Sequence, residues 1–143
     1  MPGIGWIVVV AAIVVRDGRV LAMRRASTKD AGAGLWETIS GRVERDEDPL
    51  DAVRREIAEE SGLEVRIDPR PITAYAARRA DVPMLVIVYR AEHVAGEVVR
   101  SDEHDEHAWL TADELAERSP LAKLVAAVRA CLADVRKVRG RSP

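Results

Sequence analysis

The residues best placed to do chemistry lie between Gly41 and Leu63, in the string GRVERDEDPLDAVRREIAEESGL. Asp48-Pro49 opens a helix there, because Asp caps well and Pro is preset for the first helical position. Gly62 closes it through a left-handed cap. On that helix Glu56, Glu59 and Glu60 stand at i, i+3 and i+4 and share a face. Like charges at this spacing destabilise a helix by about 0.2–0.5 kcal/mol per pair. A divalent cation resolves the conflict, since hard cations such as Mg²⁺ take oxygen ligands and keep several waters. Glu47, one residue before the cap, reaches the same rim, and Arg54 and Arg55 neutralise part of its charge. Gly41 has no side chain, so its backbone carbonyl can approach a ligand. Leu50, Val53 and Ile57 form the apolar stripe that packs on the body and leave the acids on an exposed face. The glutamate spacing alone also fits a solvated, charge-laced helix; the complete string decides between the two.

The elements that must position these acids can be read around them. Ile7 to Val15 is rich in β-branched residues and predicts a buried strand. At ten residues the apolar run Trp6–Val15 is too short for a spanning helix, which needs about 20. No basic segment precedes it, so a signal peptide is not expected. Asp17-Gly18 predicts a hairpin turn into a second strand, Arg19 to Met23. RRASTKDAGAG reads as a loop and Leu35 to Ile39 as a short extended piece. Ile72 to Ala76 and Met84 to Tyr89 are further strands, with Leu85 to Tyr89 in the core. SDEHDEH reads as a polar loop. Thr111-Ala-Asp-Glu114 has capping-box spacing and starts a short helix. Ser119-Pro120 starts the last one, whose residues Leu121, Leu124, Val125, Val128, Leu132 and Val135 recur at helical spacing. Strands and helices mix in this way in an α/β or α+β domain whose helices cover a mixed sheet.

Composition narrows the function. The 143 residues, 48% hydrophobic, make one domain with a real core, taken as 1–135, followed by a basic, frayed tail at 136–143. Twenty-two Lys and Arg against 24 Asp and Glu give a net charge of -2, so no global basic field exists to hold nucleic acid. One cysteine excludes an intrachain disulfide and a cysteine-rich metal site, and fits a reducing, cytoplasmic home.

The string itself runs Gly41, five residues, Glu47, seven residues, then Arg55-Glu56-Ile57-Ala58-Glu59-Glu60-Ser61-Gly62-Leu63. It matches the Nudix box at all nine specified positions, too many for chance in a chain of this length. The chain therefore resembles a Nudix hydrolase. RRAS…GLWE ahead of the box and EHDEHAWLTADEL after it resemble the family's opening and close. Ser40 stands where many members have a second glycine. The resemblance implies an α/β/α sandwich around a mixed β-sheet. It implies hydrolysis of a nucleoside diphosphate linked to another group X, with Mg²⁺ or Mn²⁺, by in-line attack of water on phosphorus. By position, Glu56, Glu59 and Glu60 would hold metal, completed by the Gly41 carbonyl. Arg55 would pair with Glu47 and orient the cluster. The family takes its base from the box or from a later loop glutamate: here Glu103, which could also reach the metal, or else Glu56 or Glu59. Many members are dimers, though no periodicity here marks an interface.

Other residues admit two readings. Arg24 and Arg25 suit bidentate phosphate contact but also suit a plain surface. Trp36 and Glu37 sit just upstream of the box, where Trp36 serves either core or binding pocket. Lys29-Asp30 with Gly34 to Glu37 resembles a subgroup akin to isopentenyl-diphosphate isomerases. That reaction needs a cysteine near the box, and Cys131 lies instead on the apolar face of the last helix. A non-catalytic nucleotide-sensing module would have lost metal carboxylates, and none is missing. His104 and His107 lie three apart without a ligand framework, although His104 could act as a base or touch substrate. A nucleoside triphosphate is mildly favoured as substrate because the chain is short.

Overall fold

The structure is a computed structural model and describes residues 5–27 and 32–133. The elements in order are β1 (Ile7–Arg16), β2 (Arg19–Arg25), β3 (Trp36–Glu37), β4 (Ile39–Arg42), α1 (Pro49–Ser61), β5 (Glu64–Ile67), β6 (Thr73–Arg79), β7 (Val82–Ala95), β8 (His104–Leu110), α2 (Ala112–Arg118) and α3 (Ala122–Ala133). The strands make one mixed sheet. β1 runs parallel to β7 along one edge and antiparallel to β2 and β4 along the other. A central strand buried on both faces needs a continuous apolar run, which is what Ile7–Val15 supplies.

The two faces are still sorted by the strand period of two. Val9, Ala11, Ile13 and Val15 pack with Leu115, Val125, Val128 and Cys131 under α2 and α3. Val10, Ala12 and Val14 pack with Val53 and Ile57 of α1 on the opposite face. Helices thus cover both faces, giving the α/β/α sandwich. Burial of Val53 and Ile57 contributes about 1.5–3 kcal/mol each and fixes which side of α1 faces the sheet.

The site is positioned by a split in the first hairpin. Asp17 and Gly18 both have positive φ, as a two-residue hairpin turn requires. β1 and β2 pair only beside that turn, at Val15↔Val20 and Arg16↔Arg19. Further out, β4 takes the edge of β1 and β3 takes that of β2. Residues 36–42 therefore bridge the open mouth of the hairpin, and α1 packs across β4. Helix α1 begins at Pro49 after Asp48 and ends at Gly62, whose φ of 68° is left-handed. The Asp48 side chain makes no capping hydrogen bond. The capping box at Thr111 and Glu114 closes in both directions.

Several elements differ from the sequence expectation. The SDEHDEH stretch is not a loop: from His104 it is strand β8, antiparallel to β2. Its polarity comes from cross-strand ion pairs, Arg24 bonding Asp105 at 2.8 Å and Glu106 at 3.0 Å. β5 alternates exposed and half-buried residues over only four positions, too few to register as a period. Leu35–Ile39 is not one piece, because Thr38 separates β3 from β4 and each pairs with a different strand. Leu85 is 37% exposed rather than core, pointing off the face that buries Val86 and Val88. The last helix starts at Ala122, two residues beyond Pro120. Lys29, Asp30 and the tail at 136–143 lie outside the described residues.

Candidate active site

Arg55 holds the outer half of the acidic cluster. Its Nε and Nη2 donate to the two Glu47 carboxylate oxygens at 2.9 and 3.0 Å, a bidentate fork. Nη2 also donates to the Arg42 carbonyl at 3.0 Å, tying α1 to the end of β4. Nη1 donates to Glu56 at 2.8 Å and to Glu59 at 3.4 Å. The fork holds the Glu47 carboxyl down to about 2, helped by the backbone N–H of Glu44. Glu47 and Glu56 in turn raise the Arg55 guanidinium above its ordinary value.

In the inner half Glu56 and Glu60 are buried and Glu103 is exposed. Glu56, Glu60 and Glu103 each bring an oxygen within 4.8 Å of the others. Glu60 is only 1% exposed, so it does not stand on the open face expected from the helical stripe. Helix α1 is packed so closely over β4 that a Cβ at position 41 would overlap the Glu56 carboxylate. That close approach is the reason for glycine there. Neither Glu60 oxygen has a hydrogen-bond partner among the described residues. Burial, then the adjacent Glu56, then Glu37 and Glu103, push the Glu60 carboxyl up to about 11. Buried polar atoms are nearly always satisfied, so two orphaned oxygens require an account. An all-carboxylate set of this kind suits a hard divalent cation, whose charge would reverse the upward push. The residues present fit such an ion.

The structure separates the remaining sequence candidates. Glu59 lies outside the compact trio, with its side chain 57% exposed. Glu103 sits just before β8, and its carbonyl accepts from the Ala26 N–H at 2.9 Å. Glu37 is buried and Arg25 donates to it at 3.3 Å. Trp36 is a core residue, with Arg118 stacked 5.0 Å over its ring and its carbonyl bound by the Ser119 hydroxyl. Arg24 is engaged by Asp105 and Glu106. Cys131 is buried on the α3 side of the sheet, away from α1.

Sequence reasoning missed two features. One is the buried contact of His104 with two acids, its Nε2 lying 2.8 Å from Glu37 and its Nδ1 3.7 Å from Glu60. The other is a cavity of about 500 Å³ on the α3 face of the sheet. Arg25, Glu37 and Ser40 line its end nearest the acids, with Tyr75, Arg78 and Lys123 further along its wall. Glu37 is 67 residues from His104, so no local spacing announces their contact. The cavity wall comes from β6 and α3, which carry no motif.

A layered α/β/α fold with an acid trio at the end of one helix, one acid of it tied to Arg55, fits a site for a divalent cation. The family model of the NUDIX domain matches residues 6–133, and the chain belongs to the Nudix hydrolase family. It is 38% identical to a MutT-like protein of Streptomyces ambofaciens over 76% of this chain and 66% of that one. It is 36% identical to the CTP pyrophosphohydrolase of Escherichia coli over 80% of this chain and 82% of that one. The solution structure of the E. coli ORF135 protein superposes with a TM-score of 0.73 at 28% identity, over 96% of this chain and 95% of that one. Among the described residues no helix is long and apolar enough to cross a membrane.

Proposed function

We propose that the chain is a Mg²⁺-dependent pyrophosphohydrolase of small nucleoside triphosphates, with Mn²⁺ able to substitute. The observation that carries this reading is adjacency. Glu37 lines the cavity and its charge also bears on Glu60, and Ser40, another lining residue, precedes the Gly41 against which Glu56 packs, so a nucleoside in the cavity would hold its phosphates near the acids. A volume of about 500 Å³ suits a nucleoside, within the roughly 300–1,000 Å³ of small-molecule pockets. The E. coli relative is a CTP pyrophosphohydrolase, which points the same way.

Glu56, Glu60 and Glu103 would hold the cation, with Glu59 reaching in from the rim and the Gly41 carbonyl completing the set. Once bound, the ion would neutralise phosphate charge and acidify a bound water. Arg55 and Glu47 hold Glu56 in place while that happens. Glu103, the most exposed of the trio, is the leading acceptor for the water's proton, with Glu56 or Glu59 as the alternative in the helix. Arg25, at the cavity end beside Glu37, is better placed for a phosphate than Arg24, whose guanidinium is already shared between Asp105 and Glu106. A cytoplasmic home and a single catalytic domain over 1–135 complete the proposal.

The test is a panel of nucleoside triphosphates, dinucleotides and ADP-ribose with Mg²⁺, scored by phosphate products. Nucleoside monophosphate and pyrophosphate from a triphosphate is the expected result. Turnover confined to dinucleotides or non-nucleotide diphosphates overturns the substrate assignment. Glu103→Ala is expected to lower kcat more than it raises KM; a change in KM alone demotes Glu103 to a positioning role.

A further inference from the structure

We propose that His104 and Glu37 act as one positioning unit for Glu60, and through it set the affinity of the site for its divalent cation. The inference rests on the metal-site reading above and deepens it. Glu60 lies near the end of α1 on the sheet side, and neither of its oxygens meets the geometry of a hydrogen bond among the described residues. On another element, His104 Nδ1 lies 3.7 Å from Glu60 and has no hydrogen-bond partner among the described residues. The ring is held from its far side. Glu37, an acceptor when ionised, takes the Nε2–H at 2.8 Å; Nδ1 then faces Glu60 and donates to it when the ring carries both N–H groups. Glu37 is fixed in turn by Arg25 at 3.3 Å and by the Ser40 hydroxyl at 3.5 Å.

This chain of contacts links three parts of the fold. Glu37 lies on β3, His104 opens β8, and both strands pair with β2. His104 also follows Glu103 directly, so the imidazole that backs Glu60 is anchored one residue from the trio's third acid. Glu37 and His104 are both more than nine-tenths buried, so neither can act by meeting bulk solvent. Carboxylates that ligate a metal are themselves oriented by groups behind them, and loss of such a group costs about 10–100-fold in metal affinity or activity.

The experiment measures Mn²⁺ binding by electron paramagnetic resonance on substrate-free protein, beside the thermal midpoint of the metal-free protein. His104→Ala and Glu37→Gln are each expected to weaken Mn²⁺ about 10–100-fold. The double variant should be no weaker than His104→Ala, because the two residues act as a unit. Turnover in each variant should recover as Mg²⁺ is raised. His104→Gln, which keeps a donor toward Glu37 but no Nδ1 edge toward Glu60, should bind Mn²⁺ as weakly as His104→Ala. It also supplies the test if the alanine variant does not fold. Mn²⁺ affinity within twofold of the parent in the folded variants, whatever happens to turnover or thermal midpoint, overturns the proposal. So do additive losses in the double variant. Glu60→Gln separates the two readings: if it abolishes Mn²⁺ binding while the His104 variants do not, only the positioning role fails. If Glu60→Gln binds Mn²⁺ like the parent, the metal site itself is wrong.

Discussion

Arg55 and Glu60 stand five residues apart on one helix and solve opposite problems. Around Arg55 every charge has a partner: a forked carboxylate, a backbone carbonyl and two further acids converge on one guanidinium. Neither Glu60 oxygen makes a hydrogen bond among the described residues, although Glu60 is the more deeply buried of the two. The outer region is complete as folded. The inner region is completed by a cation or by protons, since an isolated buried carboxylate neutralises rather than stay charged. A helix can carry this much acid because its rim is overpaid in cation contacts while its inner end is left for a ligand.

The largest effect is expected inside. Glu60→Gln should cut turnover by well over the roughly 100-fold that marks the loss of a group behind a ligand. It should leave metal-free stability little changed, because an amide resembles the protonated acid. A catalytic loss smaller than that of Arg55→Ala would erase the contrast. Arg55→Ala comes next. It frees Glu47 and Glu56 together and should weaken metal binding and turnover by about 10–100-fold. Arg55→Lys should not restore them, since a point charge cannot bond both Glu47 oxygens and the Arg42 carbonyl at once; full rescue by lysine would reduce the fork to simple charge balance.

Stability against pH sharpens the comparison further. Glu60 is raised in the fold, so its contribution is complete below its ordinary value of 4.5 and is lost as pH climbs toward about 11. The metal-free protein should therefore lose stability steadily from about pH 5 to 9 in urea titrations. Glu60→Gln or added Mg²⁺ should flatten that slope. Glu47 is lowered, so its contribution is present above 4.5 and fades as pH falls toward about 2. Glu47→Gln should remove a small part of the acid limb and leave the alkaline slope untouched. This is the smallest expected change, since the Glu47 side chain is near the surface. A reversed pattern, with Glu47→Gln flattening the alkaline side, would contradict the assignment of inner and outer roles.

Much of this was legible in the residues. The Pro49 start and Gly62 cap of α1, the Asp17-Gly18 turn and the apolar run of β1 are local signals, and each appears where local chemistry puts it. The acids of the box were legible as a set, but their division was not. Spacing places Glu56, Glu59 and Glu60 on one face, yet the fall of β4 beneath α1 buries Glu56 and Glu60 and leaves Glu59 outside. The polar strand β8 was hidden because its side chains are satisfied by Arg24 on a neighbouring strand rather than by burial. His104 was named from sequence as a possible base or substrate contact, but its pairing with Glu37 and the cavity were illegible for the same reason: their partners come from distant segments, and pairing across a sheet leaves no period in the sequence.

The central claim is that Glu56, Glu60 and Glu103 enclose a divalent cation. Crystals of the protein soaked in Mn²⁺ and measured at the manganese absorption edge test it most directly. The account predicts an anomalous peak bounded by those three carboxylates, with a Glu60 oxygen among its ligands. A peak elsewhere, with both Glu60 oxygens still unpartnered in an enzyme that turns over, would contradict it.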